Sequence, residues 1–394
     1  MNSTPWLLVA GDFAPHGGMD RAFFELAWHL ADRLGRTVTL VAHRVAAALA
    51  EHPNVSLVQV SRPRGLHLLG QPLLDRAGRR AAARLTALHP DATVVVGGGN
   101  CGWPGAINWV HMVHAACHSE DAGAPLGFRL KNRLSRAYFR QKEAKYTHQA
   151  RLVIANSEQS RRHLIDLVGV PAERVRNIYL GCDACKLKPA SESERAEARR
   201  RFDIPDVMPA AAFVGALSYD ANKGLDTLIS ALALLPVANR PLVLVAGGGH
   251  LDYWKYRAKA AGVADTVRFL GSIPDVPGLL AATDVLVSPT RYDGYGMGVH
   301  EALCRGLPAL VTRRAGIAER YPSDLVALLL SDAGSAQELA NRLKWVLDNC
   351  ENLQPAVTAF GSQLLKRSWE RMSADIVELA EAETESHLVG TTHE

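Results

Sequence analysis

The chain has 394 residues, 48% hydrophobic and 21% charged, which supports buried cores and excludes intrinsic disorder and collagen-like repeats. At roughly 100–200 residues per domain, the length predicts two domains. The formal charge is only +4, but residues 1–190 hold 24 basic and 14 acidic side chains and residues 191–394 hold 20 and 26. The two halves are electrically distinct. No apolar run approaches the roughly 18 residues that cross a bilayer. Residues 6–10 are too short for a signal peptide and lack a basic lead, so the expected location is cytoplasmic.

Short β-rich runs alternate with helical patterns in chain order. Residues 6–10 read as a strand, and Phe23, Leu26, Ala27 and Leu30 recur at helical spacing over 19–34. Strands follow at 38–42, 93–97, 107–110, 152–155 and 175–180, with a helix around 72–88. The second half repeats the scheme. Residues 211–215 lead into a helix from Gly224 and 242–246 into one near Trp254, with further strands at 267–270, 285–288 and 309–312. Uninterrupted apolar strands alternating with helices predict parallel sheets covered on both faces. Residues 186–200 read as a linker followed by a capped helix. The expected architecture is α/β, with two doubly wound Rossmann-like domains spanning 1–187 and 188–365. The last segment, 366–394, is expected to pack back on the first. Ligands in such sheets bind beyond the carboxyl ends of the strands.

Six cysteines are present, and only Cys182 and Cys185 are close in sequence. No second Cys-x-x-Cys completes a zinc site, and reduced thiols are expected rather than a redox or metal role.

The most informative stretch runs from Ser288 to Glu301. A strand ends, Gly294, Gly296 and Gly298 follow, and a helix begins near Gly298. Glycines at a helix start leave backbone N–H groups open to a phosphate or sugar hydroxyl. Asp293 and Glu301 lie eight positions apart and can both accept hydrogen bonds from vicinal hydroxyls. The spacing alone leaves a second reading open, with Glu301 complementing the helix dipole and Asp293 a turn residue. Upstream, Lys223 opens a helix and is a sensible partner for a diphosphate, or simply a solvated helix-end lysine. Gly17 and Gly18 form a comparable loop after the first strand, which does not follow G-x-G-x-x-G. No Asp-x-Asp triplet occurs, so a dedicated divalent cation is not expected and side-chain and backbone donors must stabilise a departing diphosphate.

These segments in this order resemble the retaining GT-B-fold glycosyltransferases of family four (glycosyl transferases group 1) over nearly the whole chain. The segments that carry the resemblance are 17–22, 154–160, 213–228 with its Asn-Lys-Gly, 269–271, and 292–308 with its Asp293…Glu301 spacing. The resemblance implies two domains facing across a cleft, with a nucleotide-diphosphate sugar as donor substrate and no cofactor or metal. It assigns Lys223 to the diphosphate, Glu301 to the donor ribose and Asp293 to a hydroxyl of the transferred sugar. The amides of Gly296, Met297 and Gly298 would hold sugar hydroxyls or phosphate, and Ser272 and Ile273 the base. Gly17, Gly18, Gly215, Gly247 and Tyr295 complete the donor-contacting set. His114 matches the family histidine near the anomeric carbon. His111, three residues earlier on an expected strand, is its competitor and would face the opposite side. Two departures stand out: aspartate at 293 replaces the family glutamate, and Ala216 stands where a basic residue is usual, with Arg313 or Arg314 as substitutes.

The basic excess concentrates in residues 62–84 and 129–151. Leu130, Leu134, Ala137 and Tyr138 give the second stretch a helical apolar stripe. Two readings compete: a surface for anionic membrane or a lipid-linked acceptor, or a core-facing helix with a solvated basic face. Nucleic acid is not expected, because aromatic residues are not interleaved with these charges. The function expected is transfer to a glycan, lipid-linked or small-molecule acceptor. The alternatives are a nucleotide-sugar epimerase on the same fold and a catalytically silent nucleotide-sugar-binding subunit.

Overall fold

In the computed structural model, which describes residues 4–117 and 123–391, the chain forms two compact units. One comprises the residues up to Ala116, Asn132–Gly181 and the segment from Arg367. The other comprises the segment up to Lys131 that follows Ala116, and Cys182–Lys366. The chain therefore changes unit at Ala116/Cys117, Lys131/Asn132, Gly181/Cys182 and Lys366/Arg367.

The first unit contains, in chain order, β1 (Trp6–Val9), β2 (Asp12–Phe13), α1 (Met19–Trp28), β3 (Val38–Ala42), β4 (Arg44–Val45) and α2 (Ala47–Ala50). There follow β5 (Val55–Gln59), α3 (His67–Leu88), β6 (Thr93–Gly97), β7 (Ile107–Val110), α4 (Leu126–Gln149, of which residues 126–131 belong to the second unit), β8 (Leu152–Ala155), α5 (Glu158–Asp166) and β9 (Val175–Asn177). Seven strands form a parallel sheet in the order β5-β3-β1-β6-β7-β8-β9. Leu7, Leu8 and Val9 of β1 are fully buried, as a central parallel strand covered on both faces requires. The helical run over 19–34 is split: α1 stops at Trp28 and a π-helical turn, His29–Arg33, continues it. The wider turn keeps His29, Leu30 and Ala31 buried. The strand expected over 175–180 pairs with β8 only as far as Asn177.

The second unit holds α6 (Glu192–Arg201), β10 (Ala210–Val214), α7 (Leu225–Leu234), β11 (Leu242–Ala246), α8 (Leu251–Ala260), β12 (Val267–Gly271) and α9 (Val276–Ala282). Then come β13 (Val285–Ser288), α10 (Met297–Cys304), β14 (Ala309–Thr312), β15 (Leu329–Leu330), α11 (Ala336–Asp348) and α12 (Cys350–Leu365). Six strands run parallel in the order β12-β11-β10-β13-β14-β15. The Ser191 hydroxyl caps α6 by accepting the Glu194 N–H, the cap its sequence announces. From α6, the nearly buried Arg199 donates to the carbonyls of Ala282, Pro205 and Met208, binding the helix to the sheet margin.

The last helix, α13 (Trp369–Thr391), lies against α1 in the first unit. Arg21 stacks over the Trp369 ring at 5.0 Å, and Arg36 pairs with Glu381 at 2.8 Å. Among the described residues, no helix is long and apolar enough to cross a membrane.

Both sheets are doubly wound. Strand order reverses between β1 and β6 in the first unit and between β10 and β13 in the second, and crevices open there at the carboxyl ends. Two glycines set the second crevice. Gly224, at φ +75°, leaves no room for a side chain, because a Cβ would overlap the Pro289 carbonyl oxygen. Gly247 lies equally close to the Gly215 carbonyl oxygen. Replacing Gly224 with alanine adds backbone strain and steric overlap, and should destabilise the second unit by about 2–4 kcal/mol. A lower melting temperature and a lower urea midpoint would register that loss.

Candidate active site

In the second unit, the β10–α7 and β13–α10 loops leave adjacent strands at the point of reversal. Backbone and side-chain bonds fasten them together. The Asn222 carbonyl accepts the Arg291 N–H at 2.8 Å and the Thr290 hydroxyl at 3.0 Å, while the Asn222 amide donates to the Tyr292 carbonyl at 3.0 Å. Beneath them, buried Arg291 donates to the Ala221 carbonyl and grips both carboxylate oxygens of Asp226 at 3.0 and 2.8 Å. The Thr312 hydroxyl donates to the Thr290 carbonyl, bringing in the β14 end.

That scaffold places Lys223 Nζ 2.6 Å from Asp293 Oδ2. Both side chains are partly exposed, Lys223 by 33% and Asp293 by 23%. The Asp293 carboxylate raises the Lys223 pKa above its ordinary value, against the cost of burial. A lysine raised in this way stays cationic throughout the physiological range. The Lys223 stem lies over Gly215, where a Cβ would come within 3.2 Å of Lys223 Cγ. Asp293 is held by its main chain: its N–H donates to the Arg314 carbonyl, and its own carbonyl accepts the Gly316 N–H.

Three helices at these carboxyl ends begin on glycine without a side-chain cap: α1 at Gly18, α7 at Gly224 and α10 at Gly296. By contrast, Ser157, Ser191, Asp275 and Ser335 cap α5, α6, α9 and α11. An uncapped N-terminus offers backbone N–H groups to an anion. Met297 and Gly298 form the first turn of α10, and Glu301 lies one turn on. Ser272 and Ile273 follow β12, with the Ser272 hydroxyl close to Gly248, next to Gly247 at the β11 end. Ala216 is exposed, as are Arg313 and Arg314.

Tyr295 departs from the expected set. Its side chain is buried, and its hydroxyl bonds His300 Nδ1 at 2.8 Å and accepts from Arg320 at 2.9 Å. The ring braces the loop from inside. Asn222, Arg291 and Thr312 also hold the site together, and only the position of Asn222 beside Lys223 signals any of them in the sequence, since the others act through partners distant in the chain.

In the first unit, Gly17 (φ +87°) and Gly18 precede α1. β7 ends at Val110, so His111 and His114 both lie beyond the strand, and strand alternation does not separate them as expected. His111 packs against Trp109, with ring centroids 4.6 Å apart, and burial pushes its pKa down to about 3. His114 stacks on Phe139 at 5.2 Å, and burial, then the nearby Arg140 charge, lower its pKa to about 4. Both imidazoles are neutral near pH 7. Glu143 anchors the segment by accepting the His114 N–H at 2.7 Å and the Ala115 N–H at 3.0 Å. Burial raises the Glu143 pKa to about 7, opposed by those two N–H groups. A glutamate on the buried face of a helix otherwise rich in solvated charge gives little sequence signal.

The apolar stripe of α4 does not face a core. Leu126, Leu130 and Leu134 are 78%, 62% and 59% exposed. Spaced four apart, they form one ridge.

Two family models match, one described as Glycosyltransferase Family 4 over residues 16–185 and one as Glycosyl transferases group 1 over 194–358. A D-inositol 3-phosphate glycosyltransferase from Salinispora tropica is 27% identical across 92% of this chain and 80% of its own length. A mannosylfructose-phosphate synthase from Agrobacterium fabrum is 31% identical across 42% of this chain and 38% of its own. Among solved structures, WaaG, a glycosyltransferase involved in lipopolysaccharide biosynthesis, superposes with a TM-score of 0.73 at 20% identity, covering 95% of this chain and 99% of that one. Anabaena HepE in complex with UDP and glucose gives 0.70 at 20% identity, covering 96% and 100%. With both model matches and the doubly wound architecture, the chain belongs to the family 4 glycosyltransferases of the GT-B fold.

Proposed function

We propose that this glycosyltransferase moves a hexosyl group from a nucleotide-diphosphate sugar to an acceptor hydroxyl, with retention of anomeric configuration and without a dedicated divalent cation. The carrying observation is the Lys223–Asp293 pair at 2.6 Å, held above the reversal point of the second sheet. An ammonium fixed there can neutralise a departing diphosphate, and Asp293 can exchange its lysine contact for a hydroxyl of the transferred sugar. Gly296, Met297 and Gly298 supply amides and Glu301 a carboxylate for the donor ribose. The exposed Arg313 and Arg314 are the candidates to replace the cation that Ala216 lacks.

No side chain stands out as a covalent nucleophile, which favours front-face attack. The bond from the anomeric carbon to the diphosphate oxygen breaks and the bond to the acceptor oxygen forms. The acceptor proton passes to the leaving phosphate. His114 enters as a neutral imidazole, a hydrogen-bonding partner for the sugar rather than an acid. Binding of UDP and glucose by HepE supports the donor class. A phosphorylated polyol, as in the name of the Salinispora tropica relative, fits the basic excess of the first half.

The ridge of Leu126, Leu130 and Leu134, flanked by Arg129, Lys131, Arg133 and Arg140, favours peripheral docking on anionic membrane. Leu69 and Leu73 of α3 are also exposed, beside Arg76 and Arg80.

Thermal-shift screening across nucleotide sugars, then nucleoside diphosphate release with and without acceptor, tests the reaction. Release only with acceptor, and a product of unchanged anomeric configuration by NMR, are expected. A sugar altered without acceptor would identify an epimerase, and binding without turnover a silent subunit. Lys223→Ala should lower kcat about 10²–10³-fold, whereas Glu301→Ala should act mainly on the donor KM. For His111 and His114, a folded pKa below the ordinary 6.5 means stability fully present above pH 6.5 and lost as pH falls toward about 3 and about 4 respectively. Histidine NMR titrations should accordingly show no protonation of either ring above pH ~5. In flotation assays, vesicles with anionic lipid should bind the chain at low salt. Joint replacement of Leu126, Leu130 and Leu134 by aspartate should abolish that binding, and no binding by the parent chain rejects the membrane reading.

A further inference from the structure

The cysteine pairing does not follow the Cys-x-x-Cys spacing. Cys185 is exposed, and its N–H donates to the Asp183 carboxylate. Cys182 is turned instead toward α10, where its thiol, that of Cys304 and an imidazole nitrogen of His300 all lie within 4.8 Å of one another. All three residues are buried: Cys182 is 2% exposed, and His300 and Cys304 are 0% exposed.

We propose that Cys182, His300 and Cys304 form a binding site for a single soft or borderline transition-metal ion, with Zn²⁺ as its probe. The donor set carries the assignment. Two sulfurs and an imidazole suit Zn²⁺ or Cu⁺ and disfavour Mg²⁺ or Ca²⁺, which require oxygen. His300 and Cys304 are four residues apart on α10, so one helix face presents both. The second bond of His300 fits as well. Its Nδ1 meets the Tyr295 hydroxyl, which Arg320 holds in turn, the kind of outer contact that orients a ligating imidazole. On binding, the two thiols lose their protons to solvent and the sulfurs ligate as thiolates.

The site would join two functional parts of the second unit. Cys182 opens the Cys182–Lys366 segment of that unit, where the chain leaves the first unit at Gly181, and α10 is the helix that begins at Gly296 and carries Glu301. The ion would therefore clamp the crossing segment to the loop that cradles the donor. It shares no residue with the Lys223–Asp293 pair and takes no part in leaving-group chemistry.

The test uses the full chain. After unfolding, refolding with Zn²⁺ and exhaustive dialysis, elemental analysis should find about one zinc per chain. Refolding with a chelator instead should lower the melting temperature by several degrees. The Cys182→Ser and Cys304→Ser variants should retain less than about a tenth of that zinc, whereas Cys185→Ser should retain all of it. Cobalt loading should add a thiolate-to-metal charge-transfer band. Folded parent chain without zinc, zinc undiminished in the Cys182→Ser and Cys304→Ser variants, or a Cys182–Cys304 disulfide found by mass spectrometry would each overturn the proposal. The parent-chain comparison stands even if a variant misfolds. Donor binding, measured separately by nucleotide-sugar thermal shift, keeps failure of this site distinct from failure of the glycosyltransferase assignment.

Discussion

Two loops leaving adjacent parallel strands at a reversal point run toward opposite faces of the sheet, so nothing in strand pairing holds them together. In the second unit, Asn222 and Arg291 do so. Asn222 bonds Thr290, Arg291 and Tyr292 across 68–70 residues of sequence, and the Arg291 guanidinium joins Ala221 and Asp226 below. The geometry of Lys223 and Asp293 depends on that fastening. A flexible lysine and a loop aspartate gain little from a surface ion pair alone. Fixed by two anchored backbones and partly removed from water, the same pair becomes a preformed charge arrangement.

Much of the fold is legible in the amino-acid order because parallel strands buried on both faces cannot alternate. Residues 38–42, 93–97, 107–110 and 285–288 announce themselves as mostly apolar runs, broken inside only by Thr39 and Asn108, and form strands with those limits. Ser191 likewise announces the start of α6. The π-helical turn at His29–Arg33 is hidden, since it keeps an apolar face in register by widening one turn, and period counting reads that as continued helix. The short β9 is hidden too: its pairing register with β8 ends at Asn177, the Ile178 N–H makes one last bond to the Ala155 carbonyl, and Leu180 is buried beyond the strand.

The site divides along the same line. Gly224, Lys223, Asp293, Gly296 and Glu301 lie in short segments whose order and spacing carry meaning, so their placement at adjoining carboxyl ends was readable. Tyr295 shares that segment, yet its side chain turns inward to His300, an orientation set by Arg320 from another loop. Glu143 works through N–H groups of remote residues, and Arg291 through the Ala221 carbonyl and the carboxylate of Asp226, and partners so far off in sequence leave no trace in composition. The α4 leucines show the converse. Their spacing is plain, but whether the ridge meets a core or solvent depends on the packing of the whole helix, and it meets solvent.

The return of the chain to the first unit at Arg367 has a consequence for biosynthesis. The first unit begins with β1 and is completed by α13, whose Trp369 stacks beneath Arg21 and whose Glu381 pairs with Arg36. A ribosome delivers those partners only after the entire second unit has been made. During translation, the second unit has all its strands while α1 still lacks part of its cover. The amino-terminal portion therefore has its whole sheet but an incompletely covered α1 until the second unit has been made, and a chain cut near Lys366 would keep the strands of both sheets and leave α1 without α13.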